Sequence, residues 1–427
     1  MSKQTRNIAK LLQKKKSDKV SKKCIRNEVY GSKKCIRNEK RKIISESRNK
    51  RGRNKMRILK KLRPENAIYK NLYNKPYEGL PVYIVGGGPS LKDFDFSVLD
   101  NYITISVNRS WEFMNNPTIC FSIDTRWLNQ TQGGSFGHEV KEEWKNIDTM
   151  KIMLDTAPGS RQDDIHYIKY LGRDGFSDDL EEGLNSGHNS GYSAIQLAAA
   201  LGSKEIHLLG FDMGNPGPKQ KHFHSGYPSS CDISVYKKNY IPYFKRYSYK
   251  IQKELGIEVI NHSMESNLDM FPKKSLKSII RGHKKPRIVC YYTDGYEEQI
   301  KRMSASVKLY GFPYDIQKIE GTGKWKENTY LKAQFIRDML DAHPRENIVW
   351  TDADSEICSY PHLFINFKSD VGVVKIDWKQ FRKTKLTPEV TSGTMYFKNN
   401  KRTRELLDEW VLRNKEITAD DTGERTQ

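Results

Sequence analysis

The sequence predicts an α/β fold built as two layered modules with mostly parallel sheets, preceded by a basic tail that is disordered or helical. Three observations predict it. Short Val- and Ile-rich runs alternate with helical patterns from Pro81 to Ile280, and a second alternation starts at Arg287. Nearly all of the net charge lies before Pro64.

The 427 residues suit two domains and a tail. Residues 1–63 hold 25 Lys/Arg against Asp18, Glu28, Glu39 and Glu46, a net of +21. The whole chain carries +22, so residues 64–427 carry only +1. The basic balance therefore describes the tail. Ser21–Glu28 reads SKKCIRNE, and Ser32–Glu39 repeats it eleven residues on, a helical repeat length that a duplicated disordered tail would also show. Such a tail attracts nucleic acid or an anionic membrane without specificity. Tyr30 alone interrupts it, which offers no base-stacking platform. No apolar run of secretory length follows Met1–Leu12, and Ala194–Leu201 is too short to span a bilayer. The six cysteines form no CxxC pair. Their scatter speaks for a reducing compartment, and the expected location is cytoplasmic.

In the first module, strands are expected at Val82–Val85, Ile103–Val107, Ile119–Ile123, Lys151–Leu154, Ile206–Leu209 and Ile257–Ile260, with helices clearest at Gly191–Leu201 and Tyr236–Leu255. Val85 runs into Gly86-Gly87-Gly88-Pro89-Ser90 at an expected helix start. Glycines there allow backbone N–H groups to approach an anion, although a plain tight turn reads equally well. The turn lacks the Lys-Ser/Thr of a P-loop and the spacing of a dinucleotide fingerprint. Asn108 and Asp124 end the next two strands, and in open α/β sheets ligands bind at the strands' carboxyl ends. Asn189-Ser190-Gly191 opens a helix, as a cap or as a second phosphate or ribose contact. Asp212 ends a strand in Leu209-Gly210-Phe211-Asp212-Met213, and His222-Phe223-His224 follows. With no third ligand in register, hydrogen-bonding or acid/base roles suit these histidines better than a metal, and His224 is the candidate acid/base.

Together these stretches resemble the motility-accessory-factor and 6-hydroxymethylpterin-diphosphokinase-like family, which is similar to the bacterial CMP-sialyltransferases. The resemblance covers about Pro81 to Ile280 and implies a Rossmann-like nucleotide-binding domain. It implies that Gly86, Gly87, Gly88, Ser90, Asn108, Ser190 and Gly191 hold a nucleotide, with Asp124 and Asp212 near its sugar or a metal. The sialyltransferase turn has Asn where Gly87 stands, which removes a contact to the reacting group.

Arg281–Pro286 reads as a linker between residues 64–280 and residues 287–427. The second module is expected to hold strands at Ile288–Tyr292, Ile348–Trp350, Val371–Ile376 and Thr394–Phe397, and helices at Glu297–Tyr310, Thr329–Leu340 and Thr403–Leu412. Asn347–Thr351 leads into Asp352-Ala353-Asp354, two carboxylates leaving a strand end on one face. That pair suits Mn²⁺ or Mg²⁺ bridging a diphosphate, where a solvated turn is the commoner meaning of such a triplet. By itself Lys332 reads as an ordinary solvated helix lysine. Ser392-Gly393 reads as a turn.

With Lys324–Asn328, Lys332–Ile336, Pro361–Phe364 and Thr391–Phe397, this stretch resembles the GT-A nucleotide-diphospho-sugar transferases. The resemblance implies metal and sugar-nucleotide binding at Asp352 and Asp354, Lys332 beside the diphosphate, and Ser392-Gly393 lining the acceptor. It stops after Asp420-Asp421, where family members continue with further strands. The expected activity is metal-assisted sugar transfer from a UDP-, GDP- or CMP-sugar to a glycan or protein. The alternatives are a pterin-diphosphokinase-like transfer from ATP and a non-catalytic glycan- or nucleotide-binding protein.

Overall fold

The computed structural model describes residues 69–214, 222–224, 233–376 and 389–422. The basic tail with its repeat and the Asp420 and Asp421 side chains lie outside the described residues. The α/β expectation holds, and the chain divides into two compact units.

The first unit takes residues up to Lys285 together with residues 304–313. Its seven strands are β1 (Pro81–Val85), β2 (Ile103–Val107), β3 (Ile119–Ser122), β4 (Met150–Leu154), β5 (His166–Ile168), β6 (Glu205–Leu209) and β7 (Glu258–Asn261). They form one all-parallel sheet in the order β5-β4-β3-β2-β1-β6-β7. Both faces of a parallel sheet are covered, which is why β2 and β4 are buried at every position. The chain winds outward from β1 to β5, then returns to the other side of β1 with β6. The switch point therefore falls between β1 and β6, and the glycine turn and Asp212 leave the two strands that flank it.

Helices α1 (Thr125–Gln132), α2 (His138–Asn146), α3 (Ser190–Ala200) and α4 (Ile241–Tyr249) link these strands. Every residue of α3 is buried, as its Ala-rich sequence allows. The helix expected over Tyr236–Leu255 is instead a π turn at Tyr236–Tyr240, then α4, then a second π turn at Lys250–Glu254. Pro242 brings no N–H and crowds the preceding carbonyls, so the helix widens on entry and the Ile241 N–H bonds the Tyr236 oxygen. The glycine turn opens only one 3₁₀ turn, Pro89–Leu91, instead of the expected helix. Lys92 is extended at ψ 129° and Asp93 is left-handed at φ 63°, which stops helical propagation.

The second unit takes residues 286–303 and 314 onward. Its strands β8 (Arg287–Tyr292), β9 (Tyr314–Lys318), β10 (Ile348–Thr351), β11 (Val371–Ile376) and β12 (Glu389–Phe397) lie in the order β11-β12-β10-β8-β9. β10, β8 and β9 run parallel, whereas β12 is antiparallel to both β10 and β11. Helices α5 (Glu297–Leu309), α6 (Trp325–Ala342) and α7 (Lys401–Thr422) complete it. Residues 304–313, the end of α5 and the turn after it, belong to the first unit, where the Tyr77 hydroxyl donates to the Leu309 oxygen at 2.8 Å. The second core gathers Val289, Ile348, Trp350, Met395 and Phe397 from one face of the sheet with Ile336 and Leu340 of α6 and Leu407 of α7. No described helix is long and apolar enough to cross a membrane.

Candidate functional site

In the first unit, the turn after β1 is stitched to the end of β6. Gly86 N–H donates to the Leu209 oxygen at 2.7 Å and Gly88 N–H to the Gly210 oxygen at 2.9 Å. Ser90 donates to Asp212 twice, from its N–H to Oδ1 at 3.2 Å and from its hydroxyl to Oδ2 at 2.9 Å. Three of the turn's amides are thus engaged internally, and the Gly87 N–H is left facing no partner among the described residues. A Cβ at Gly86 would stand 2.9 Å from the Gly210 oxygen, and one at Gly88 would land on Asp212. The glycines are required first by this close approach of two chain segments. Burial raises the Asp212 pKa, and the bonds from Ser90 oppose that shift.

Asn108 stands after β2 in the left-handed region, φ 54°. Its Oδ1 accepts the Ser122 hydroxyl at 2.7 Å and the Ser190 hydroxyl at 3.3 Å, which fixes the amide with its NH₂ turned away from both. The Ser190 hydroxyl also accepts the Ile123 N–H at 3.3 Å, so the ends of β2 and β3 and the start of α3 meet at one point. Asp124 serves as the cap of α1, its Oδ1 accepting the Arg126 and Trp127 N–H groups at 2.9 and 3.2 Å. Asn189 caps α3 through the Tyr192 N–H at 3.0 Å. A Cβ at Gly191 would meet the Phe211 ring at 2.5 Å, so packing again demands the glycine.

The Gly87 oxygen accepts the Phe223 N–H at 3.2 Å and lies 3.3 Å from His222 Nδ1, which ties the His222–His224 segment to the glycine turn. His224 stacks on Phe113 with ring centroids 5.1 Å apart. Burial, then the charge of Arg109, pushes its pKa down to about 4. His224 is therefore neutral at physiological pH and carries no proton to donate as an imidazolium.

Sequence reading missed Ser263. Its hydroxyl lies 2.9 Å from the Ser90 hydroxyl and accepts the Phe211 N–H at 3.1 Å, bracing the Ser90–Asp212 pair from β7. The signal was present, because Asn261-His262-Ser263 is a polar run ending an apolar strand, the same pattern that picked out Asn108 and Asp212.

In the second unit, Lys332, Asp352, Ser392 and Gly393 come together at the carboxyl end of β10. Lys332 is buried, 6% exposed, and is no solvated helix lysine. Its ammonium donates to Asp352 Oδ1 at 2.9 Å and to the carbonyl and hydroxyl oxygens of Ser392, both at 3.0 Å. The Trp350 indole N–H donates to the same Asp352 Oδ1 at 3.1 Å, and the Asp352 N–H to the Gly393 oxygen at 2.9 Å. Ser392-Gly393 lies within β12 rather than in a turn. Val373 and Val374 of β11 pair with Met395 and Thr391, so residues 392–394 bulge out of that ladder. The bulge aims Ser392 at the lysine.

Among the described residues no group of three or more His, Cys, Asp or Glu could hold a metal. Asp352 Oδ1 already faces an ammonium, and the free face of this carboxylate is Oδ2, beside Gly393. Two carboxylates are too few for a cation held by protein alone, so an Mn²⁺ or Mg²⁺ at Asp352 and Asp354 would need further oxygens from a ligand.

No family model matches the chain, and no curated protein does. Four solved chains match. One is a glycosyltransferase involved in glycosylation of the major capsid of PBCV-1, at 14% identity and TM-score 0.25 over 31% of this chain and 67% of that one. Another is the sialyltransferase CST-II in complex with a trisaccharide acceptor and CMP, at 16% identity and TM-score 0.30 over 48% of this chain and 88% of that one. A third is CstII from Campylobacter jejuni with the substrate analogue CMP-3FNeuAc, at 15% identity and TM-score 0.29 over 48% and 89%.

Proposed function

We propose that this chain transfers a sugar from a nucleotide-sugar donor to a glycan or protein acceptor, with the transfer seated at Asp352-Ala353-Asp354. The observation that carries the reading is the buried Lys332 ammonium holding Asp352 beside the β12 bulge, at the carboxyl end of a parallel strand. A carboxylate fixed by an ammonium, an indole and its own backbone bond has little freedom left, which is what positioning of a donor requires. Asp352 Oδ2 and Asp354 would hold the cation shared with the donor, and Ser392 and Gly393 would border the acceptor. When bound, the divalent cation would offset the charge that grows on the leaving nucleoside diphosphate.

For the first unit we infer a nucleotide crevice at the β1/β6 switch point, with the Gly87 N–H and the Asn108 NH₂ as its donors. ATP-dependent diphosphate transfer there is less well supported, because Gly86, Gly88 and Ser90 already direct their amides to Leu209, Gly210 and Asp212. The same engagement favours a second reading of that unit as a binding module without chemistry of its own.

The test is transfer and hydrolysis of UDP-, GDP- and CMP-sugars by the full chain with Mn²⁺, compared with Asp354→Ala and Gly87→Val. Loss of turnover in Asp354→Ala is expected, with donor binding no longer strengthened by Mn²⁺. Turnover unchanged in Asp354→Ala would move the chemistry out of the second unit and end this reading.

A further inference from the structure

We propose that the first unit binds a nucleotide together with one proton, taken from solvent onto Asp212 Oδ2 beside the glycine turn. The inference rests on the nucleotide crevice inferred above and adds its pH dependence. Asp212 is 7% exposed, and no ion pair links it to a described residue. A Cβ at Gly88 would fall 1.8 Å from Oδ2. Adding the covalent spans back from that point puts Oδ2 within about 9 Å of the Gly87 nitrogen. An anion on the Gly87 N–H therefore meets a buried negative charge, and the turn has no P-loop lysine to offset it. Around Asp212 stand Ser90 after β1, Ser263 after β7 and the Asn267 N–H, which donates to the Asp212 carbonyl at 3.0 Å. The titratable groups on the far side of the turn are His222, its Nδ1 3.3 Å from the Gly87 oxygen, and His224, with the Arg109–Glu112 ion pair at 2.6 Å next to His224.

Asp212, Ser90 and Ser263 form a row with two O···O contacts, both 2.9 Å. With Asp212 ionised, the Ser90 hydroxyl donates to Oδ2 and the Ser263 hydroxyl donates to Ser90. With a proton on Oδ2, that proton is donated to Ser90 Oγ, and the Ser90 hydroxyl turns to Ser263. The heavy atoms need not move. The Ser90 N–H still donates to Oδ1 and the Phe211 N–H to Ser263, and only the Ser263 proton must find another acceptor. The row can thus take up a proton without the turn opening. Burial already raises the Asp212 pKa, and the charge of a phosphate raises it further. Proton and nucleotide then strengthen each other's binding by the same factor, roughly tenfold for charges about 10 Å apart in a partly buried site. Asp212→Asn copies the protonated form: its oxygen accepts the Ser90 N–H, its NH₂ donates to Ser90 Oγ, and no charge remains.

Isothermal titration calorimetry of the full-length chain with the methyl esters of CMP, UMP, AMP and GMP tests this, because their phosphate does not titrate between pH 5.5 and pH 8. Repeating each titration in two buffers of different ionisation heat counts the protons taken up. Binding that Gly87→Val removes marks the crevice. That binding should tighten by up to about tenfold from pH 8 to pH 5.5, with net proton uptake in between. Asp212→Asn should bind at pH 8 as tightly as wild type does at pH 5.5, with no uptake. Crevice binding without proton uptake in wild type overturns the proposal, and that arm needs no variant. So does uptake that survives Asp212→Asn and vanishes in His222→Gln, which assigns the proton to the histidine. If no ester shows binding that Gly87→Val removes, the crevice reading itself ends, and the proposal with it.

Discussion

Gly88→Ala asks whether the glycine turn is a packing device before it is a binding one. Gly88 lies at φ −69°, ψ 150°, which alanine adopts freely, so backbone strain is not the cost. Space is. The new Cβ would fall on Asp212 Oδ2 and lie 2.5 Å from the Gly210 oxygen. The Gly210 oxygen is fixed by the Gly88 N–H at 2.9 Å, and Asp212 by the two bonds from Ser90. Pushing the carboxylate aside weakens hydrogen bonds to a charged group, each worth roughly 1.5–3 kcal/mol. Overpacking adds about 1–3 kcal/mol. With partial relaxation, a loss of about 4 kcal/mol is expected for the first unit. At about 2–4 °C per kcal/mol for a unit of this size, its transition should fall by roughly 8–16 °C. Gly87→Ala is the matched control: its Cβ would lie 3.1 Å from His222 Nδ1, the tip of a side chain that can shift. It should cost under about 1 kcal/mol. Differential scanning calorimetry of both variants in the full chain makes the comparison. A Gly88→Ala transition within about 2 °C of wild type would refute the packing argument.

Three further outcomes are expected. Burial pushes the pKa of His166 and of His262 from 6.5 to about 4. Between those values the unfolded chain binds protons that the folded chain refuses, so stability of the first unit falls as pH falls, by as much as about 3 kcal/mol per histidine. Urea midpoints that stay constant from pH 7 to pH 5 would contradict this. Asp352→Ala leaves the Lys332 ammonium buried with only the two Ser392 oxygens; because Asp352 is itself partly exposed, a loss of about 2 kcal/mol in the second unit is expected, measured by chemical denaturation. Asn189→Ala removes the cap of α3 and should cost about 1 kcal/mol, with Asn189→Gly costing a few tenths, and equal effects of the two would argue against capping.

Much of the scaffold was legible because buried parallel strands are continuous apolar runs. Ile103–Val107 is such a strand, buried throughout and with the expected bounds; Val371–Ile376 also has its expected bounds, although it is an antiparallel edge strand with only Ile376 buried. The strands that escaped, β5 and β9, lie at sheet edges. β5 has only three residues, with a histidine at one of its two buried positions, and β9 reads Tyr-Asp-Ile-Gln-Lys with no buried position, so neither shows an apolar run. Helices α1 and α2 escaped for a related reason: α1 carries Asn and Thr among few large apolar residues, and what starts it is the Asp124 cap, a residue equally at home in a ligand site.

The residues of the two candidate sites could be picked out from the sequence by one rule, that polar groups ending buried strands face a common edge of the sheet. By itself the sequence determined which side chains stand there: the three glycines, Ser90, Asn108, Asp212 and the Asp352–Asp354 pair. It could not determine their partners, because hydrogen bonds between residues 20 to 122 positions apart depend on which elements become neighbours. Only the tertiary structure decided that Asp212 clamps Ser90 rather than facing solvent, that a bulge in β12 turns Ser392 toward Lys332, and that Lys332 is buried against Asp352. The physical reason is that one lysine codes equally well for a solvated helix surface and for a buried ion pair, and the packing of α6 against β10 and β12 selects between them.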